Sequence, residues 1–575
     1  MNFFGVYHSN TYASISEKCD APCITKGRMR LCAAETASSG DLIAFCIGRL
    51  RNRYALLQVL GLRGSPTNSE IALQAYRKWG STFSDHLEGP VIAGVLNAAR
   101  DEMILSRDRM GELTLFYSRD ASGGIAFSDH PDTLLRAGMF QPVVNREGMC
   151  ELFGLGPART PGRTPYRDLR ELEPGCRLIA CGSSMTIDRY FDISGRPHTE
   201  NAHETIVHTR ALLDRAIDDI AALHPGAMLS GGLDSTALTA LLAAQGARIK
   251  TFSVDYRDNE KDYRPSAFRP SMDAPFIELA ARALNCDHRG FILEQAELAD
   301  SLQSALDARG FPGMADIDGS LWLFAGRIAP HARCVISGEC GDEVFGGYPW
   351  FRGDAPLSEN AFPWSGSMEL RKSVLHPETA KRLNLAEYVS GTLVDAIRQA
   401  NVPGAADDRE ARLKRIQKLC FRFFMANLQE RARTMCTAQG VSVITPLCDE
   451  RLVEYVYNVP WAMKFMNGAE KGLFRAAVAD CVPPEINERR KSPYPKTCSP
   501  IYAKIIRERT LKMLADPDAP LNEWIDVQAV RRLAESELDA AAAPWFGQLM
   551  AGPQMLAYLL QINLWMRERN IRVEL

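Results

Sequence analysis

Over the first 192 residues, apolar and polar positions alternate in short runs broken by turn residues, as in Asp41-Leu-Ile-Ala-Phe-Cys46 and Gly111-Glu-Leu-Thr-Leu-Phe-Tyr117. A period of two between turn signals predicts half-buried strands, so this part is expected to be mainly sheet. The pattern then changes. After a helical stretch over Thr205–Leu223, the apolar runs Thr251–Val254, Gly290–Leu293 and Cys334–Ser337 alternate with helical stretches over Ala274–Leu284, Ala299–Arg309 and Ser320–Ile328. Strands alternating with helices predict a parallel, doubly wound sheet, whose ligands lie beyond the C-terminal strand ends. Residues 360–575 are predicted to be mostly helical, with amphipathic segments at Glu410–Asn427 and Ala529–Ala541. The stretch from Asp192 to Glu204, with Gly195 and Pro197, is the expected linker, which divides the chain into domains 1–192 and 205–575.

Two apolar runs of the second part end in glycines. The first is Ala227-Met228-Leu229-Ser230-Gly231-Gly232-Leu233-Asp234-Ser235-Thr236, followed by a helix predicted from Asp234 to Ala244. Gly231 and Gly232 allow a tight turn and leave no Cβ between main-chain N–H groups and a ligand, while the helix aims its positive end at the same place. An anion such as pyrophosphate suits that cradle. No Gly-Lys-Ser/Thr follows, so the string is not a Walker A loop. The second run, Cys334-Val-Ile-Ser-Gly-Glu339-Cys340-Gly-Asp342-Glu343-Val-Phe-Gly-Gly-Tyr348, brings acids to another strand end.

Composition narrows the classes. With 67 basic and 70 acidic residues the net charge is −3, so no overall field draws the chain to nucleic acid or an anionic membrane. The fifteen cysteines are scattered, without a CxxC pair or zinc spacing, which predicts reduced thiols rather than disulfides or a structural metal. Neither a signal-peptide pattern nor an apolar stretch of about 20 residues occurs, and a cytoplasmic protein is expected.

The Ser-Gly-Gly-Leu-Asp-Ser string resembles the PP-loop of ATP pyrophosphatases. The second run resembles the Ser-Gly-Glu-Gly-x-Asp-Glu-x-Phe-Gly-Gly-Tyr signature of the asparagine synthetase family, with Cys340 in place of a glycine. The resemblance implies ATP and Mg²⁺ as cofactors, with the metal held by Asp234 and Asp342. It implies that Leu229, Ser230, Gly231, Gly232, Ser235, Val254, Ser337 and Gly338 line the nucleotide, although Val254 could equally be core packing. Glu470-Lys471-Gly-Leu-Phe-Arg475 resembles the family's Lys-x-x-Leu-Arg helix start, which would make Lys471 the charge stabiliser or else a surface lysine. Glu430 falls where β-lactam synthetases keep a glutamate that tunes the base taking an amine proton; a helix-surface role is the alternative. Glu339 follows asparagine synthetases where β-lactam synthetases place a tyrosine, and is a third catalytic candidate. Arg489–Lys496 corresponds either to the family's lysine loop over the nucleotide or to a solvated charge run.

The N-terminal part resembles the same family's glutaminase domain in Ala75–Gly80, Leu87–Pro90, Ser106–Gly111 and Tyr166–Gly175. The implied fold is an α+β, Ntn-type glutaminase-like sandwich followed by an α/β doubly wound PP-loop synthetase domain with a helical C-terminal part. The implied glutaminase activity is not expected, because Asn2 stands where the family needs a cysteine whose own α-amine serves as its base. The amine should then arrive with the substrate. That points to a lasso-peptide cyclase, a macrolactam-forming ligase acting on a precursor peptide, with a leader peptidase and a leader-recognition protein as candidate partners and neither nucleic acid nor membrane. The alternatives are an ammonia-dependent asparagine synthetase, a β-lactam-synthetase-like cyclase, and a catalytically dead binding protein.

Overall fold

The computed structural model describes residues 3–7, 21–265, 271–353, 357–358, 360–366, 368–400, 402, 405–536 and 544–575. Asn2 lies outside them, as does the end of the Ala529–Ala541 segment. The chain forms two compact units, Met1–Gly148 with Thr160–Ile193 and Arg572–Glu574, and Met149–Arg159 with Ser194–Ile571 and Leu575. This departs from a simple division at residue 192. Residues 149–159 join the second unit because its side chains satisfy their backbone: Arg371 donates to the carbonyls of Phe153, Gly154 and Gly156, and the Tyr558 hydroxyl to that of Leu152.

The first unit packs two six-stranded antiparallel sheets face to face. Alternation along its strands explains the layers. On Leu42–Gly48, Ile43 and Phe45 enter the core between the sheets beside Leu31, Leu105 and Phe127, whereas Ala44 and Cys46 face the helix Asn68–Trp79. The expected strand over Gly111–Tyr117 forms only from Phe116, running to Arg119. Before it, the Asp108 carboxylate accepts from the amides of Glu112 and Leu113, and the Arg107 guanidinium donates to the carbonyls of Gly111 and Leu113. Side chains thus take the backbone groups that a ladder would use. The expectation of wholly reduced cysteines also fails, since a disulfide joins Cys23 and Cys32, which face each other on adjacent antiparallel strands. Most other described cysteines are buried.

In the second unit five parallel strands lie in the order Asp287–Leu293, Lys250–Tyr256, Gly226–Met228, Cys334–Ile336, Ser442–Ile444, which is 3-2-1-4-5 in sequence. The fold is α/β and doubly wound, and order reverses between Gly226–Met228 and Cys334–Ile336, the place where such sheets open a crevice. The helices Ala202–Ala221, Leu233–Ala243, Ala274–Ala283, Gln295–Arg309 and Asp316–Ile328 form as the periodicity predicts. The last strand was hidden, because its three residues sit alone in a helical region. Segment 410–427 is interrupted: α-helix Asp408–Leu419 gives way to a π-helical turn at Cys420–Met425 before α-helix Ala426–Ala438. No helix among the described residues is long and apolar enough to cross a membrane.

Candidate active site

Both glycine turns open at the order reversal. Gly231 has φ +68°, and a Cβ there would come within 2.6 Å of the Ile277 nitrogen, so only glycine allows the turn. Its carbonyl accepts from Arg489 Nη1 at 2.9 Å. Ser230 and Ser235 brace the turn through their hydroxyls, 3.0 Å apart. The helix Leu233–Ala243 then begins with no side-chain cap, which leaves its first N–H groups available to an anion.

The second turn delivers Asp342. Gly347 closes behind it, and a Cβ there would overlap both Asp342 Oδ1 and Lys471 Cε. Lys471 Nζ, on a residue 3 % exposed, lies 2.5 Å from Asp234 Oδ2 and 2.6 Å from Asp342 Oδ1. Lys491 Nζ lies 2.6 Å from the other Asp342 oxygen. Burial would raise Asp342, but the two ammonium groups outweigh it and hold its carboxyl down to about 2. Lys471 is held above the ordinary lysine range: burial lowers it, and Asp234 and Asp342 more than offset that. Asp234 is raised by burial against the pull of Lys471.

A hard divalent cation fits the acid pair. Asp234 Oδ1 is buried and accepts no hydrogen bond. Among the described residues no cluster of three or more His, Cys, Asp or Glu side chains could hold a metal, so phosphate oxygens and water would complete the shell, as in magnesium–nucleotide sites.

One cavity gathers Leu229, Ser230, Gly232, Asp234, Ser235, Val254, Ser337, Gly338, Glu339, Asp342 and Lys471. Gly231 shapes the turn and is not among the residues that line the cavity. Val254 does both things expected of it, since it lines the cavity at 7 % exposure. Glu430 is the correction. It does not line the cavity, and its carboxylate is taken by Arg159 at 3.0 Å and Arg309 at 2.9 Å. Burial alone would raise it, but the two guanidiniums hold it down at about 2, so it stands as an ion-paired carboxylate behind the cavity rather than at the place where the amine would lose its proton. The next residue, Arg431, does reach the cavity, 3.3 Å from Glu339.

Arg489–Lys496 belongs to the site rather than to a solvated run. Arg489 is anchored on Asp273 and over the Phe276 ring, and Lys491, Tyr494 and Pro495 line the cavity. Lys491, Arg431 and Tyr348 are the site residues that sequence reasoning passed over. Tyr348 and Lys491 lie inside stretches already singled out and Arg431 directly follows Glu430, so nearness to those residues was the available signal.

The sequence pattern of the asparagine synthase family matches residues 208–567, and that of the glutamine amidotransferase domain matches residues 47–191. The chain is 34 % identical over 544 residues to "Asparagine synthetase [glutamine-hydrolyzing] 3" of Bacillus subtilis (strain 168), covering 92 % of this chain and 87 % of that protein. It is 23 % identical over 475 residues to a putative asparagine synthetase of Mycobacterium bovis, covering 74 % and 70 %. It is 27 % identical over 336 residues to amidase chyE of Penicillium rubens, covering 56 % and 48 %. A synthase match over more than half of the chain, with paired glycine turns that bring two acids onto one lysine, means that this protein belongs to the asparagine synthase family.

Proposed function

We propose that this chain uses ATP to adenylate a carboxylate and joins it to an amine carried by the same substrate, releasing AMP and PPi. The substrate we favour is a ribosomally made lasso-type peptide whose α-amine closes onto an Asp or Glu side chain. The observation that carries this reading is the make-up of the cavity: next to the phosphate cradle and the Asp234–Lys471–Asp342 cluster runs a wall of Tyr348, Phe424, Leu428, Tyr494 and Leu549. Apolar and aromatic surface suits a peptide better than a small zwitterion.

The residues divide the work. The uncapped amides after Gly232 hold phosphate oxygens. Lys471 and Lys491 balance the negative charge that develops when the adenylate forms and when it collapses. Mg²⁺, which Asp234 and Asp342 would hold, neutralises phosphate charge when bound. Glu339, raised by burial against the opposing pull of Arg431, takes the proton of the attacking amine. An adenylate in water hydrolyses unless the amine lies within about 3–3.5 Å, and tethering both groups in one molecule meets that condition. Such an ATP-consuming enzyme would work in the cytoplasm.

A second reading, asparagine formation from aspartate and ammonia, is favoured by the charged Glu339–Arg431 recess, which suits an amino acid's own ionic groups. Mass spectrometry separates the two. With ATP and Mg²⁺, a leader-free peptide with a free N-terminus and an Asp or Glu several residues along should lose one water and yield one AMP per product. The assay is run with and without a leader peptidase and a leader-recognition protein. A peptide that stays linear throughout, while aspartate and ammonium give asparagine, decides for the second reading.

In either case the first unit should release no glutamate from glutamine. Among its described free thiols Cys46 and Cys176 are buried and Cys181 is exposed, and the first described strand, Phe4–Tyr7, carries no cysteine. Glutamate produced in step with AMP would restore an amidotransferase reading.

A further inference from the structure

Glu430 and Arg431 are successive residues of one helix with opposite fates, and what joins them is a buried run of alternating charges. Arg159 lies 3.0 Å from Glu430 and stacks over the Phe311 ring. Glu430 lies 2.9 Å from Arg309, and Arg309 lies 3.2 Å from Asp318. Asp318 lies 3.3 Å from Arg431, and Arg431 lies 3.3 Å from Glu339 at the cavity wall. The side chains of Arg309, Asp318 and Arg431 are 1–2 % exposed. Three guanidiniums meet three carboxylates, so the run is neutral as a whole. In a dry interior that balance matters, because one uncompensated charge pulls on every neighbour. The inner members are fixed by further bonds: Asp318 accepts from the Met314 amide and Arg431 donates to the Ile317 carbonyl. The outer end is not on the synthetase part of the sequence at all. Arg159 falls inside the stretch matched by the amidotransferase pattern, yet it belongs to the second compact unit.

We propose that Arg159 is a positioning residue of the amide-forming site: by closing the charge balance on Glu430 it leaves Arg309 to Asp318 and Arg431 to Glu339, and so fixes the carboxylate that faces the substrate. The proposal rests on the reading that Glu339 acts in that site. It also gives the amidotransferase-like sequence a contribution to synthesis that does not depend on glutamine hydrolysis. Without the Arg159 charge, Glu430 draws Arg309 to itself, Asp318 draws Arg431, and Glu339 loses its partner.

Carbodiimide coupling of glycine ethyl ester to carboxyl groups, mapped by mass spectrometry on the full chain, reads this without any substrate, since the Glu339 side chain is 22 % exposed. In Arg159→Met the labelling of Glu339 should rise by about three- to tenfold, the size expected of coupling between linked ionic groups. Glu430→Gln removes the opposite charge and should not raise it. The double variant Arg159→Met/Glu430→Gln is neutral again and should label as wild type does, as should Arg159→Lys. AMP release should follow the same order, with kcat lowered in Arg159→Met and KM for ATP unchanged. The proposal is overturned if folded Arg159→Met labels at the wild-type rate, or if the double variant labels as fast as the single one. Should Arg159→Met not fold, a folded double variant with fast-labelling Glu339 overturns it equally. If wild-type protein forms no AMP with any substrate, the functional reading fails, and the labelling still decides the positioning role.

Discussion

Lys471→Met will lower AMP formation by about 10²–10³-fold, the cost of losing one preorganised charge stabiliser. Its ammonium is the cation between Asp234 and Asp342, so the loss falls on the site's chemistry and also on the fold. Removing one partner of a buried ionic group costs about 3–5 kcal/mol, because the carboxylates left behind stay desolvated. The double variant Lys471→Met/Asp234→Asn removes charge and counter-charge together, and should regain much of the stability while staying inactive. Chemical denaturation and AMP assays on the same samples separate the two effects. The pH dependence follows from the signs. Lys471 is raised, so its contribution is complete below the ordinary lysine pKa and fades only as pH rises through the higher folded value. Asp342 is depressed to about 2, so its contribution is complete above the ordinary aspartate value and fades as pH falls through about 2. Asp234 is raised by burial and Lys471 opposes that rise, so in Lys471→Met the buried carboxylates take up protons more readily, and the stability difference from wild type should narrow as pH falls. A Lys471→Met protein with wild-type turnover would end the charge-stabiliser assignment.

Asp342→Asn and Asp234→Asn should each suppress AMP formation by at least about 10²-fold, since a ligand to phosphate-bound metal is worth several kcal/mol in such transfers. Their effects on stability should differ. Asp342 holds both Lys471 and Lys491, whereas Asp234 holds Lys471 alone and keeps one oxygen unbonded. Asp342→Asn leaves the buried Lys471 with Asp234 alone and takes from Lys491 its carboxylate partner, so it should be the less stable variant at neutral pH. Mn²⁺ binding in the presence of ATP, followed by electron paramagnetic resonance, should weaken in both. Normal turnover in either variant removes that aspartate from the metal assignment.

The glycine turns were legible because their chemistry is local: a tight turn, an uncapped helix start and an acid within four residues all fall within ten positions. The parallel sheet was legible from runs of apolar residues spaced by helical periods. Gly111–Leu115 was not, because the Asp108 and Arg107 side chains replace ladder hydrogen bonds that the alternation implied. Nor was Ser442–Ile444, whose pairing with Cys334–Ile336 alone makes it a strand.

Glu430 shows the limit most clearly. Its resemblance to a glutamate of β-lactam synthetases implied a base-tuning role, but the residues that set its charge state, Arg159 and Arg309, stand 271 and 121 positions away. Proton affinity depends on burial and on charges within a few ångströms, and neither can be read from spacing along the chain. By itself the sequence determined the two-part organisation, the doubly wound sheet and the residues of both phosphate-side turns, because each follows from periodicity or from backbone freedom over a few residues. Only the tertiary structure decided which acids share Lys471, that residues 149–159 serve the second unit, and that Glu430 is an ion-paired support while Arg431 reaches the cavity. Those outcomes depend on which distant charges the fold brings together away from water.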